Sequence, residues 1–197
     1  TLDAIGATLP GVPGVMIGRN QRIAWGITAL LGDVQDLYVE KVNTRDQAEF
    51  NGALEPVRIV RETIKVRGGP DVPLRVRITR HGPIISDVLE HPQSTLALRW
   101  TGLDPADATA ECFMRVNLAG SWPEFTEALR RIQVPLLNFV YADVDGNIGY
   151  HGPGAFPVRA AGDGTRPVPG WTGEFEWRGY LHESEWPSAY NPARGYL

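Results

Sequence analysis

A single cysteine, Cys112, among 197 residues excludes an internal disulfide and any multi-cysteine zinc site. Long apolar runs are missing too: no window holds the roughly 18 consecutive apolar residues that a membrane-spanning helix needs. No cationic stretch followed by an apolar one opens the chain, so the sequence shows no secretory signal. Neither sign of charge dominates. Lys and Arg number 19 against 23 Asp and Glu, and the basic residues are scattered, which argues against nucleic acid as the main partner. The histidines, His81, His91, His151 and His182, form no His-x-x-x-His pair, so nothing suggests a transition-metal site. Gly-x-Ser-x-Gly, Gly-x-x-x-x-Gly-Lys and Gly-x-Gly-x-x-Gly are all absent. A triad built from distant Ser, His and Asp leaves no local signature, and no such set stands out.

What is present is ordinary globular material: 43% hydrophobic and 21% charged residues exclude disorder over the whole chain. Short strands broken by turns open it. Val15–Gly18 and Arg22–Gly26, separated by Arg19-Asn20-Gln21, read as a β-hairpin, and Asp36–Val42 alternates at period two as a half-buried strand does. Leu2-Asp3-Ala4 carries no strand pattern. Val57–Arg67 and Leu74–Thr79, joined through Gly68-Gly69-Pro70-Asp71, predict a second antiparallel hairpin with arginines on one face. Those arginines suit a solvated sheet face, with anion binding as the alternative. Ser94–Trp100 predicts another strand. Helices are expected over Ala106–Val116 and, behind a Ser121 N-cap and a Glu124 capping-box acid, over Trp122–Ile132. Phe139–Asp143 and Asn147–Tyr150 flank Asp145-Gly146, a pair that favours a type I′ hairpin. No repeat or linker composition appears, so residues 1–197 read as a single α+β piece.

Three constellations bear on chemistry. Asp143-Val144-Asp145-Gly146-Asn147 imitates a calcium loop, but its glycine is fourth rather than sixth and Gly154 stands where the twelfth-position Glu belongs. The hairpin reading is preferred. Asp33 and Asp36, following Gly32, are either turn caps or oxygen ligands for a hard cation. Thr1 at the chain start is either a boundary or an N-terminal nucleophile, and the boundary is the plainer reading.

Several blocks resemble the penicillin acylase (penicillin amidase) family of N-terminal-nucleophile hydrolases. They are Gly6-Ala7-Thr8-Leu9-Pro10-Gly11-Val12-Pro13-Gly14, Ile17-Gly18-Arg19-Asn20 and Ile23-Ala24-Trp25-Gly26-Ile27-Thr28-Ala29. Further blocks are Gln35-Asp36-Leu37-Tyr38-Val39-Glu40, Arg80-His81-Gly82-Pro83-Ile84 and Asn138-Phe139-Val140-Tyr141-Ala142-Asp143 with Gly146-Asn147-Ile148-Gly149-Tyr150. Pro167-Val168-Pro169-Gly170-Trp171, Tyr190-Asn191-Pro192 and Gly195-Tyr196-Leu197 complete the set. No block is decisive alone; their order over nearly the whole chain makes the match specific.

The resemblance implies an interior slice of the large subunit: the β-rich part of an αββα sandwich, mostly antiparallel, without the nucleophile-bearing start. It implies amide hydrolysis through an acyl-enzyme, by a serine upstream of Thr1 whose own amino group is the base. Ala29 matches a backbone oxyanion-hole donor, while the companion Asn belongs after Leu197. Ile17 and Ile27, and less closely Phe113 and Leu137, match acyl-pocket positions, with ordinary core as the alternative. A structural Ca²⁺ is implied at Asp33 and Asp36, with the carbonyls of Gln35 and Gly164. The implied substrates are N-acyl amides, either β-lactams with an acylated side chain or acyl homoserine lactones, and the implied partner is a small subunit cut from the same precursor. Lacking the nucleophile, the isolated fragment is expected to be inactive, literally a structural module, and prone to self-association through uncovered edges. Family members are often exported, so a periplasmic or secreted setting is compatible; the residues do not choose a compartment.

Overall fold

The computed structural model describes residues 3–90 and 92–195. In chain order the strands begin with β1 (Ala4–Ala7), β2 (Ile17–Asn20), β3 (Ile23–Ala29), β4 (Gln35–Glu40), β5 (Gln47–Phe50) and β6 (Ala53–Pro56). Then come β7 (Arg58–Ile64), β8 (Val72–Thr79), β9 (Gly82–Pro83), β10 (Thr95–Trp100), β11 (Leu137–Asp143) and β12 (Ile148–His151). The last are β13 (Pro157–Arg159), β14 (Val168–Pro169), β15 (Trp177–Tyr180) and β16 (Ser188–Tyr190). Two α-helices, α1 (Thr109–Val116) and α2 (Trp122–Leu129), lie between β10 and β11. No helix among the described residues is long and apolar enough to cross a membrane.

The chain gathers into two compact units, each discontinuous in sequence. Residues 1–34, 104–157 and 180–197 form the first, and residues 35–103 and 158–179 the second. Linker composition gives no warning of this: the chain passes from one unit to the other where β4 begins, after β10, and within β13 and β15.

The first unit is built on a six-stranded sheet in the order β1-β2-β3-β11-β12-β16, antiparallel at every neighbour. Strand alternation sends Trp25, Phe139 and Tyr141 to one face, where α1 and α2 contribute Phe113, Val116, Phe125 and Leu129 to a buried cluster. A fully buried side chain of this size contributes roughly 1.5–3 kcal/mol. Asn117 ties the end of α1 to the segment before β2: its Oδ1 accepts from Val15 N–H at 2.7 Å and its Nδ2 donates to Val15 C=O at 2.8 Å.

The first hairpin and both helices form, with differences at their ends: β2 is Ile17–Asn20 rather than Val15–Gly18, so Arg19 and Asn20, expected in the turn, belong to the strand. β1 exists despite its unpromising pattern, because Gly6 faces Gly18; a Cβ on Gly6 would lie 2.1 Å from Ile17 C=O. Helix α1 starts at Thr109 rather than Ala106, since Asp107 Oδ1 captures Thr109 N–H at 3.2 Å and Thr109 Oγ1 at 2.6 Å in a turn. Helix α2 ends at Leu129 rather than Ile132, where Arg130 and Ile132 N–H bond three residues back instead of four. Ser121 caps α2 through Glu124 N–H, but Glu124 returns to Gly120 N–H at 2.7 Å, not to Ser121. The β11–β12 turn is not type I′. Gly146 has φ 87° while Asp145 stays out of the left-handed region, so a turn over Asp143–Gly146 closes with a glycine bulge. Asp143 Oδ1 accepts from the Asp145 and Asn147 N–H groups, each at 3.0 Å, so it holds the turn rather than a cation.

In the second unit β10, β4 and β14 form one sheet, β7, β8 and β9 another, and β5–β6 and β13–β15 pair by twos. The β7–β8 hairpin runs from Arg58↔Ile78 to Ile64↔Val72. The two arginines of β8 meet carboxylates, Arg75 on Asp46 and Arg77 on both oxygens of Asp87.

Candidate functional site

The end of β3 carries the geometry of interest. β3 pairs with β11 in the register Leu137↔Ala29, Asn138↔Thr28 and Phe139↔Ile27, three residues beyond the Gly26 expected as its end. Leu30 N–H donates to Leu136 C=O at 3.0 Å. In an antiparallel ladder successive N–H groups point to opposite edges, so the Ala29 N–H points away from β11. On that other edge β2 pairs with β3 only at Trp25 and Ala24. The Ala29 N–H is therefore directed off the sheet beyond the reach of β2's ladder. The chain leaves after Leu30, where Leu31 takes a φ of 58° and is 90% exposed.

Of the expected acyl-pocket residues, two share this place. Ile27 precedes Ala29 by one alternation on the helix-covered face, and Leu137 is the cross-strand partner of Ala29 in a non-hydrogen-bonded pair, where side chains stand closest. Ile17 is 43% exposed and lies on the opposite sheet face, because its neighbour Gly18 pairs with the core-facing Trp25. Phe113 is 3% exposed with its ring 5.9 Å from that of Phe139, so it packs the core of the unit. For Phe113 the core alternative describes its surroundings.

Behind Ala29 stands a polar row that sequence reasoning passed over. On the outer sheet face Asn138 Nδ2 donates to Ala29 C=O at 3.1 Å and to Thr28 Oγ1 at 3.0 Å. Tyr150 O–H donates to Asn138 Oδ1 at 2.7 Å, and burial pushes the Tyr150 hydroxyl above its ordinary pKa. Alternation along β11 offered one signal, since Asn138 is the polar member of the outer positions it shares with Val140 and Ala142.

The second unit holds a separate polar cluster on β4, whose buried face is Asp36, Tyr38 and Glu40, with Leu37 and Val39 half-exposed on the other side. His81 lies flat on Tyr38, ring centroids 3.9 Å apart. Its Nδ1 meets Glu40 Oε1 at 2.8 Å and its Nε2 meets Glu176 Oε1 at 2.6 Å. Thr79 Oγ1 donates to the same Glu40 oxygen at 2.6 Å. The ring is thus held between two carboxylates, one at each nitrogen. Burial, reinforced by the charges of Asp36 and Glu176, pushes the Tyr38 hydroxyl up, and it donates to Phe175 C=O at 2.7 Å.

The proposed cation ligands distribute unevenly. Asp33 belongs to the first unit, and Gln35, Asp36 and Gly164 to the second. Asp36 is 5% exposed and already engaged: Arg159 Nε reaches its oxygens at 2.9 and 3.1 Å, Arg159 Nη2 reaches Oδ1 at 2.9 Å, and Trp177 Nε1 donates to Oδ2. A carboxylate offers about four acceptor sites. These contacts take them up, and the guanidinium supplies the charge a cation would bring. Among the described residues no group of three or more His, Cys, Asp or Glu is placed to hold a metal ion. As its side chains stand, Asp36 does not fit a calcium shell. Thr1 lies outside the described residues.

Over residues 1–197 the chain matches the penicillin amidase family. It is 36% identical to an acyl-homoserine lactone acylase QuiP of Pseudomonas fluorescens (strain Pf0-1), across 99% of this chain and 24% of that protein. It is 36% identical to the penicillin acylase 2 proenzyme of Pseudomonas sp. (strain SE83), across 99% of this chain and 25% of that protein. With the penicillin G acylase of Escherichia coli the identity is 35%, across 99% and 23%. The chain thus spans about a quarter of the length of the relatives it matches. A solved structure of thermostable penicillin G acylase from Alcaligenes faecalis superposes with a TM-score of 0.80 at 32% identity, covering 99% of this chain and 37% of that one. The mostly antiparallel sheets with few helices match its α+β fold. With its full length matched to the family, the chain belongs to the penicillin amidases.

Proposed function

We propose that the intact protein hydrolyses an N-acyl amide through an acyl-enzyme, with the Ala29 N–H as one donor to the tetrahedral oxyanion. The observation that carries this reading is the Ala29 N–H turned off the β11 ladder, next to the apolar Ile27 and Leu137, in a chain of the penicillin amidase family. A serine outside these 197 residues attacks the amide carbonyl while its α-amino group takes the hydroxyl proton. The carbonyl π electrons become a lone pair on oxygen, and the Ala29 N–H and a second donor outside the chain donate hydrogen bonds to that oxyanion. Collapse breaks the C–N bond, the amine leaves with the proton, and water then hydrolyses the ester. One such donor contributes on the order of 3–4 kcal/mol to the transition state.

In this reading the chain is one part of a large subunit matched to a small subunit from the same precursor, in line with the proenzyme name of one relative. The acyl group lies over Ile27 and Leu137. Relatives named as penicillin acylases and as acyl-homoserine lactone acylases share the N-acyl amide and differ in the acyl group and the amine. A calcium ion would be structural, and would need Asp36 to exchange Arg159 for the ion. The test uses the intact, processed protein with arylacetyl amides and straight-chain N-acyl homoserine lactones, followed by stopped flow. A burst of released amine before steady turnover is expected from an accumulating acyl-enzyme; failure to cleave any member of either series would overturn the reading.

A further inference from the structure

We infer that Asn138, held by Tyr150, is a positioning residue that aims the Ala29 N–H; the inference rests on the oxyanion role proposed above. Ala29 has little of its own to hold it. It sits at the last position of β3, its own side chain is a methyl, and the next residue but one leaves the sheet with a positive φ. A strand end without further support frays, and the peptide plane that carries the Ala29 N–H would tilt with it. Ladder bonds to β11 hold one edge of this segment, through Leu30 N–H on Leu136 C=O. The remaining backbone group, the Ala29 carbonyl, is held by a side chain instead, Asn138 Nδ2 at 3.1 Å.

The amide's orientation is set by its partners. Ala29 C=O can only accept, so Asn138 must present its NH₂ there, and its Oδ1 turns to the Tyr150 hydroxyl at 2.7 Å. The same NH₂ holds Thr28 Oγ1 at 3.0 Å, so both residues flanking the critical peptide bond are gripped by one side chain. Tyr150 is itself confined. A Cβ on Gly152 would lie 3.0 Å from the Tyr150 hydroxyl and 3.4 Å from Leu30 Cδ2, so the hydroxyl and the start of the chain's exit border the same glycine. Asn138 therefore touches neither the reacting atoms nor the N–H it serves. It grips the residues on both sides of the Thr28–Ala29 peptide that carries this N–H, Thr28 at its hydroxyl and Ala29 at the carbonyl of the following peptide, and displacement of such a donor by up to about an ångström is costly to rate.

The experiment uses the intact enzyme carrying Asn138→Asp, Asn138→Ala, Tyr150→Phe and the Asn138→Ala/Tyr150→Phe pair. Asn138→Asp keeps the shape and removes the donor. The expected result for it is a kcat lower by about tenfold or more, with KM within about twofold, because the interaction lost is one made in the transition state. Binding of a boronic acid that forms a tetrahedral adduct should weaken in step with kcat, while binding of the product carboxylic acid holds; a merely structural role would not separate the two. Tyr150→Phe should show a smaller loss, and none beyond that of Asn138→Ala in the double variant. Unchanged kcat in folded Asn138→Asp enzyme, or parallel weakening of boronate and product binding, overturns the inference. Ala29→Pro separates the two layers: if it keeps kcat, the oxyanion role itself is wrong, and if it loses kcat while Asn138→Asp does not, only the positioning role fails.

Discussion

Replacing His81 with leucine should be among the most damaging single changes in the second unit. The side chains of His81 and Glu40 are 4% and 1% exposed, so neither has water to fall back on. Leucine fills much of the imidazole's volume but removes the donor at 2.8 Å, leaving Glu40 Oε1 with Thr79 Oγ1 alone. On its other side Glu40 is walled by backbone: a Cβ on Gly170 would stand 2.7 Å from Oε2. Removing a partner so that a buried polar group is left unsatisfied costs about 1–3 kcal/mol, and more for a charged group, because its desolvation is no longer compensated. That is a large share of the roughly 5–15 kcal/mol that holds a typical domain. Urea unfolding of the intact protein, with hydrogen exchange read at the β4 amides, is the assay. The double change His81→Leu/Glu40→Leu should cost less than the sum of its parts, with a coupling of about 2 kcal/mol or more. A His81→Leu loss under about 1 kcal/mol, or additive changes, would refute the reasoning that these two buried side chains satisfy each other.

Two further outcomes follow from buried polar groups. Burial lowers the His151 pKa from 6.5 to about 4, so below pH 6.5 the unfolded chain takes up a proton that the fold refuses. Stability should be full above pH 6.5 and fall by about 2–3 kcal/mol towards pH 4, then level off for this group; His151→Gln should remove that part of the pH dependence in urea titrations, and an unchanged slope would contradict it. Arg159→Met should destabilise the second unit by about 3 kcal/mol in urea unfolding by stranding the buried Asp36; a loss under about 1 kcal/mol would contradict it.

How much of this was legible in the sequence depended on which interactions set each element. Hairpins declared themselves because alternation and turn residues are local: β2–β3, β7–β8 and β11–β12 all formed, with β2 at Ile17–Asn20, two residues beyond the Val15–Gly18 expected. β1 did not, since its formation rests on two glycines meeting across strands, Gly6 on Gly18. On β4 alternation identified a strand but hid which face is inside: the buried side is Asp36, Tyr38 and Glu40, because Arg159, His81 and Thr79 arrive from far along the chain to satisfy it. The α1 and α2 boundaries slipped where side-chain and three-residue turns competed with the helix. At the candidate site, resemblance pointed to Ala29 and its apolar neighbours, whereas Thr28, Asn138 and Tyr150 come together only through cross-strand register.

The most direct measurement is kcat of the intact enzyme carrying Ala29→Pro, with Ala29→Gly as the control. Proline deletes the N–H at a position where the β11 ladder does not use it, so circular dichroism and urea stability should stay near those of the parent. The account predicts a kcat lower by on the order of 10²–10³ for the proline variant and a mild change for glycine. A folded Ala29→Pro enzyme that keeps the parent's kcat would contradict it.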